Sequence, residues 1–260
     1  TNASETTPKV KAFNSTMSSP FLFSVRSLRC FGEPLDCVFP RRPMNTPVIH
    51  LIDAPSGRIE TASLLCDLSQ PMPRRALLIL HPHPLHGGTM GNKVVTTIAR
   101  VARDAGLPAV AFNFRGAGRS EGVWDHGEGE LMDAFHIASL MIRRGVFELC
   151  LAGFSFGGSI AARLIKKLRD ENVAVDVIDL IQVAPAVENF PIDLQALGNV
   201  PRTVIYNGDD EVVSPDAIGA YASAVGAHVM RSETGGHFFH GELTRLKQAV
   251  STHFVERGIV

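Results

Sequence analysis

From Pro47 onward, short runs rich in β-branched and apolar residues alternate with longer segments in which apolar positions recur every three or four residues. "PVIHLID" and "RIETASLLC", joined by "APSG", predict an opening antiparallel hairpin. "ALLIL" (76–80), "AVAFNF" (109–114), "ELCLAGF" (148–154), "VIDLIQVA" (177–184), "RTVIYNG" (202–208) and "HVMRS" (228–232) predict the later strands. Their near-continuous apolar character suits strands covered on both faces. Between them, "NKVVTTIARVARDAG" predicts a helix capped by Asn92 and stopped at Gly106. In "GEGELMDAFHIASLMIRRG", Leu131, Ala134, Phe135, Ala138, Met141 and Ile142 form an amphipathic stripe. A further helix follows in "GGSIAARLIKKLRD". This alternation predicts an α/β domain with a mostly parallel central sheet and helices on both faces. No internal repeat and no second domain boundary is visible.

The first 43 residues break the pattern: they are rich in Ser, Thr, Pro and Arg and carry Pro8, Pro20, Pro34, Pro40 and Pro43. "MSSPFLFSVRSLRCF" is acid-free and loosely resembles a transit peptide, while Arg26 and Arg29 interrupt the apolar stretch that a secretory signal needs. The expectation is a disordered or appended leader over 1–43 and a single folded domain over 44–260, so that cutting before Met44 leaves folding and activity intact.

Composition narrows the function. A formal net charge of -1 over 260 residues gives no electrostatic footprint for nucleic acid or an anionic membrane, and no apolar run is long enough to span a bilayer. The four cysteines lack metal-ligand spacing, and Cys66 and Cys150 sit in apolar contexts typical of buried free thiols. That usage predicts a cytoplasmic protein; a Cys30–Cys37 disulfide is the alternative for that pair. Nothing in the chain sets an oligomeric state.

The candidate chemistry centres on "LCLAGFSFGGSIAARL". Glycines flanking a helix-capping serine account for such a stretch without chemistry. As a GxSxG nucleophile elbow, the same stretch holds Ser155 on a sharp strand-to-helix turn, with Gly153 and Gly157 relieving crowding. Acyl transfer by a serine needs a base, an acid that orients the base, and donors for the developing oxyanion. "VIYNGDDEVVSP" offers Asp210, with Asp209 as runner-up, directly after a strand. "TGGHFFHGEL" offers His237, with His240 as the alternative. The order Ser155, Asp210, His237 is nucleophile, acid, histidine, as in α/β hydrolases.

"LLILHPHPLHGGTMGNK" places His81, His83 and His86 close together, but without a local carboxylate or cysteine to complete a metal site. As an oxyanion loop, it supplies a backbone N–H to join that of Phe156; Pro82 and Pro84 have none, so His83 leads and Leu85 is second. "GGTMGNK" and "RGAGRSEG" miss the phosphate-binding glycine spacings. No cofactor or metal is called for.

Taken in order, "HPHPLHGGTMGNKVV", "FNFRGAGRSEG", "LAGFSFGG", "LIQVAPAV", "GDDEVV" and "GGHFFHGEL" resemble small, capless bacterial α/β hydrolases of the serine-hydrolase superfamily, over roughly residues 47–256. The resemblance implies an α/β-hydrolase fold, Ser155 as nucleophile, Asp210 as acid, His237 as base, and an oxyanion hole from the Phe156 and His83 amides. The glycine-to-acid spacing in "YNGDDEVV" departs from the commoner GxxD and keeps Asp209 in play. Asn113 stands where many members have Asp, which implies a packing difference, and Arg115 and Ser120 suggest loop supports.

Fewer than 20 residues separate "LIQVA" from "TVIYNG", too few for a cap domain, so an open, shallow site is expected. Phe154, Phe156, Phe190, Phe238 and Phe239 are candidates for an apolar acyl pocket or for core. The resulting expectation is a serine esterase acting on small to medium acyl esters. Thioesterase or peptidase action by the same triad and a non-catalytic binding protein of this fold are the alternatives.

Overall fold

The structure, a computed structural model, describes residues 46–260. The expected leader over 1–43, the domain start at Met44 and the Cys30–Cys37 pair lie outside the described residues.

The expected hairpin is present as β1 (Val48–Ala54) and β2 (Gly57–Leu64), which pair antiparallel around Pro55 and Ser56. Six more strands come after it: β3 (Arg75–Leu80), β4 (Ala109–Phe112), β5 (Glu148–Phe154), β6 (Asp176–Val183), β7 (Arg202–Asn207) and β8 (His228–Ser232). They form one eight-stranded sheet in the order β1-β2-β4-β3-β5-β6-β7-β8. β2 meets β4 antiparallel, and every pair from β4 to β8 is parallel. β5 lies inside the sheet between β3 and β6, and all but its first residue are buried, as its unbroken apolar run predicts.

β4 ends at Phe112, two residues earlier than the apolar run suggests. The reason is competition for backbone groups. Asn113 N–H still donates to Glu60 O in register with β2, but Ser120 Oγ takes Glu60 N–H and donates to Asn113 O, so the return bond is lost, and Phe114 N–H turns to the His81 ring.

Helices cover both faces. α1 (Lys93–Asp104) and α5 (Leu243–Glu256) share one core, with Ile98, Val101, Val250 and Phe254 packed against strand residues such as Ile79 and Ile181. α2 (Glu128–Arg143) and α3 (Phe156–Asp170) bury Ile137, Met141, Ile160 and Leu164 against Leu78, Leu151 and Leu180 on the other face. α4 (Pro215–Ala224) is tied to the α3 side through β6: Tyr221 O–H donates to Gln182 Oε1, and the Gln182 amide donates to Gly158 O. Between β6 and β7 the chain makes only a short 3-10 turn, Gln195–Leu197, so no cap domain stands there.

Asn92 caps α1 as expected, accepting from Val94 N–H at 2.8 Å. The stripe on α2 is rotated from the expected one. Its buried face carries Glu130, Asp133, Ala134, Ile137, Ala138 and Met141, while Leu131, Phe135 and Ile142 sit half-buried on its shoulder. Two acids displace apolar residues because each terminates a loop. Glu130 accepts the N–H groups of Asp125 and Gly127. Asp133 holds the Arg115 guanidinium through both oxygens and also accepts from Arg115 N–H and Ser56 O–H.

A second buried polar unit pins α5 to the sheet. His253 bonds Asp179 Oδ2 of β6 at 2.7 Å and Thr203 Oγ1 of β7 at 2.9 Å, with all three residues almost wholly buried.

Candidate active site

β5, β7 and β8 run parallel, so the segments beyond their carboxyl ends emerge at the same edge of the sheet. Ser155 lies directly after β5, Asp210 three residues after β7, and His237 on the loop after β8. His237 Nδ1 lies 2.8 Å from Asp210 Oδ2, and His237 Nε2 lies 2.9 Å from Ser155 Oγ. With the Asp210 carboxylate accepting from Nδ1–H, Nε2 carries the lone pair that faces the serine hydroxyl. All three side chains are nearly buried; Ser155 is 7% exposed.

The elbow is strained where the sequence places it. Ser155 has φ 54° and ψ -119°, a conformation closed to most L-residues. The flanking glycines answer a different need. A Cβ on Gly153 would stand 2.2 Å from Gly157 O, and one on Gly157 would stand 2.3 Å from Leu80 O and 2.5 Å from His81 O. GxSxG therefore reflects two close backbone approaches, within the turn and between the turn and the end of β3.

Three consecutive acids set the histidine. Asp210 Oδ1 accepts from Val212 and Val213 N–H, which leaves Oδ2 for His237. Asp209 accepts from Gly235 and Gly236 N–H, and those bonds hold its carboxyl below the usual range. Glu211 accepts from His237 N–H at 3.1 Å. Asp209 and Glu211 thus bind the backbone of the histidine loop, while Asp210 meets the ring. His240 is exposed and lies outside this hydrogen-bonded run.

His81, His83 and His86 do not converge as a ligand set. His81 is fully buried, accepts from Phe114 N–H at Nε2 and so carries its proton on Nδ1, 2.6 Å from Pro82 O. Burial pulls its pKa down to about 3, making it a neutral strut under the loop. His83 caps the short 3-10 turn Pro84–His86 by accepting from Leu85 N–H, which engages the second-choice oxyanion donor. The amides of His83 and Phe156 donate to no acceptor among the described residues.

The His83 ring lies 4.2 Å from that of Trp124, 5.3 Å from Phe156 and 5.9 Å from Phe190, centroid to centroid. Neither motif nor period singles out Trp124, the chain's one tryptophan. Its signal lies only in being a large aromatic in the loop after "RGAGRSEG". The five phenylalanines separate. Phe154, Phe156 and Phe239 are buried core, Phe190 is half-buried beside Trp124, and Phe238 is 41% exposed. Phe154 packs under the His237 ring at 5.0 Å, which corrects its reading as an acyl-pocket wall.

The loop supports behave as the resemblance implied. Asn113 bridges Met90 N–H and Glu60 Oε2, Ser120 O–H donates to Asn113 O, and Arg115 is locked to Asp133.

A mostly parallel sheet whose strained serine turn, acidic loop and histidine loop meet at one edge is the arrangement of the α/β hydrolase class. No family model matches the chain. It is 34% identical to an α/β serine hydrolase homologue from Coxiella burnetii, over 80% of this chain and 97% of that one, with a TM-score of 0.67. It is 30% identical to XC6422 from Xanthomonas campestris, an α/β serine hydrolase without a lid, over 82% and 95% of the two chains, with a TM-score of 0.69. An uncharacterised Rickettsia prowazekii protein, RP471, is 30% identical over 171 residues, which are 64% of this chain and 68% of that protein. The chain belongs to the lidless α/β serine hydrolases.

Proposed function

We propose that the chain is a carboxylic ester hydrolase acting on small to medium acyl esters through an acyl-enzyme. The observation that carries this reading is the hydrogen-bonded run from Asp210 through His237 to Ser155. His237 Nε2 takes the hydroxyl proton as Ser155 Oγ attacks the acyl carbon. The tetrahedral oxyanion receives the N–H groups of Phe156 and His83, and the amino end of α3 adds a favourable dipole. Collapse breaks the acyl–oxygen bond, and His237 returns the proton to the departing alcohol. Water then repeats the sequence on the acyl-enzyme, releasing the acid and restoring Ser155. Asp210 holds the ring in the productive tautomer and stabilises the imidazolium.

The acyl half lies against His83, Trp124 and Phe190, whose rings pack together. The buried Cys150 thiol and the half-buried Cys66 thiol, both pushed up to about 12 by desolvation, suit a reducing cytoplasm. Among the described residues, no helix is long and apolar enough to cross a membrane.

The test is Ser155→Ala. Turnover of a chromogenic acyl ester and labelling by a fluorophosphonate should both disappear while the circular dichroism spectrum is unchanged. Labelling that survives the substitution would assign another nucleophile.

A further inference from the structure

A groove of about 650 Å³ runs between the oxyanion loop and the histidine loop. One wall continues from the oxyanion loop, from Gly87 to Lys93; the other is the histidine loop, with Phe238, Phe239, His240 and Leu243. Its volume falls within the range of small-molecule sites. Neither Ser155 nor His237 lines it; its nearest approach to the proposed base is through Phe238, whose ring lies 5.1 Å from the His237 ring.

We propose that this groove receives the alcohol half of the ester and selects alcohols that carry an anionic group, with Lys93 as the residue that recognises the charge. The inference rests on the esterase reading above, and three observations carry it. First, His237 protonates the leaving oxygen, so the alcohol departs on the histidine side of Ser155, and the histidine loop forms one wall of the groove. The acyl half is left to the aromatic wall of His83, Trp124 and Phe190.

Second, the charge in the groove has one sign. Its ionisable residues are Lys93 and His240, and among the described residues no carboxylate lines it. Lys166, Lys167 and Lys247 each pair with an acid, whereas Lys93 has no such partner among the described residues. Third, Lys93 is the first residue of α1, whose first turn contains no acid. The helix dipole disfavours a cation at that end, so helix stability gives no reason for lysine there. Lys93 is exposed, so its ammonium is free to meet an anionic ligand held in the groove. The exposed Phe238 ring supplies apolar contact for the carbon skeleton between the ester oxygen and the charge.

The experiment compares para-carboxyphenyl butyrate with para-tolyl butyrate, which share an acyl group and differ in the charge on the alcohol. The readout is the ratio of their kcat/KM values on one preparation, which cancels the folded fraction. Comparing that ratio between variants cancels the intrinsic reactivity of the two esters. Lys93→Met should lower the ratio of anionic to neutral ester about fivefold, and Lys93→Glu should lower it further. Lys166→Met, which removes the same charge from the outer face of α3, should move it less than twofold. A change below twofold in both Lys93 variants overturns the inference and leaves the esterase reading standing. An equal change in Lys166→Met also overturns it, because the effect would then be one of net charge. Fluorophosphonate labelling without turnover of either ester overturns the inference alone, whereas loss of both labelling and turnover in the wild type overturns the esterase reading with it.

Discussion

Gly157→Ala is the sharpest test of how the elbow is built. The added Cβ would stand 2.3 Å from Leu80 O and 2.5 Å from His81 O. Both neighbours are backbone, and ordinary contact begins at ~3.5 Å, so the start of α3 and the end of β3 must part by about 1 Å. Over-packing of this kind costs about 1–3 kcal/mol of stability. The same displacement separates Phe156 N–H, on the elbow, from His83, two residues beyond His81, and so opens the proposed oxyanion hole. A misplacement near 1 Å at reacting groups lowers rate on the order of 100-fold. Gly158→Ala is the comparison, because its Cβ would meet Gly153 O at 3.2 Å and Pro185 Cβ at 3.3 Å, a conflict of a few tenths of an ångström. Steady-state hydrolysis of an acyl ester, with urea unfolding of each variant, should rank wild type, then Gly158→Ala, then Gly157→Ala in both activity and stability. A Gly157→Ala enzyme within threefold of wild-type kcat, or one less impaired than Gly158→Ala, would refute the reasoning.

Three further outcomes are expected. Asp210→Asn should lower kcat on the order of 10,000-fold, as for the equivalent change in serine proteases; Asp209→Asn keeps a carbonyl for the Gly236 N–H and should lose far less, and the reverse order in initial-rate assays would move the acid to Asp209. His81 is protonated near pH 6.5 when unfolded but only near about 3 when folded, so the unfolded state binds the extra proton and stability falls as pH drops from 6.5 toward 3; between pH 7.5 and 5 the loss is about 2 kcal/mol, and urea titrations should show it in wild type and lack it in His81→Gln. His253→Leu strands the Asp179 carboxyl in the core and should cost about 3–5 kcal/mol, whereas Asp179→Leu with His253→Leu should cost less than the single change; equal or greater loss in the double variant would remove the buried pair as the cause.

The site residues are legible because each obeys a local rule. Ser155 and Asp210 come after apolar runs of strand length, His237 after the shorter, half-polar HVMRS and two glycines, and strands in a parallel sheet deliver the loops at their carboxyl ends to one edge. Polar residues whose partners lie far along the chain escape such rules. Glu130 and Asp133 sit at helix-surface periodicity until loop N–H groups and Arg115 draw them inward. His253 and Asp179 are 74 residues apart and carry no motif. Asp209 and Glu211 look like competitors for one role, because three adjacent acids give no hint that two of them grip backbone amides. Trp124 lies in an irregular loop where period says nothing, and only folding brings it against His83.

The conformation of Ser155 has a consequence for how such a chain responds to selection. Its φ of 54° is open to glycine without penalty, while a side chain there costs about 1–3 kcal/mol. Directed evolution for heat resistance alone would therefore favour glycine at position 155, yielding a sturdier protein without the proposed nucleophile. Stability and activity pull this position in opposite directions, so any thermostable relative that keeps serine here must have found its extra stability elsewhere in the fold.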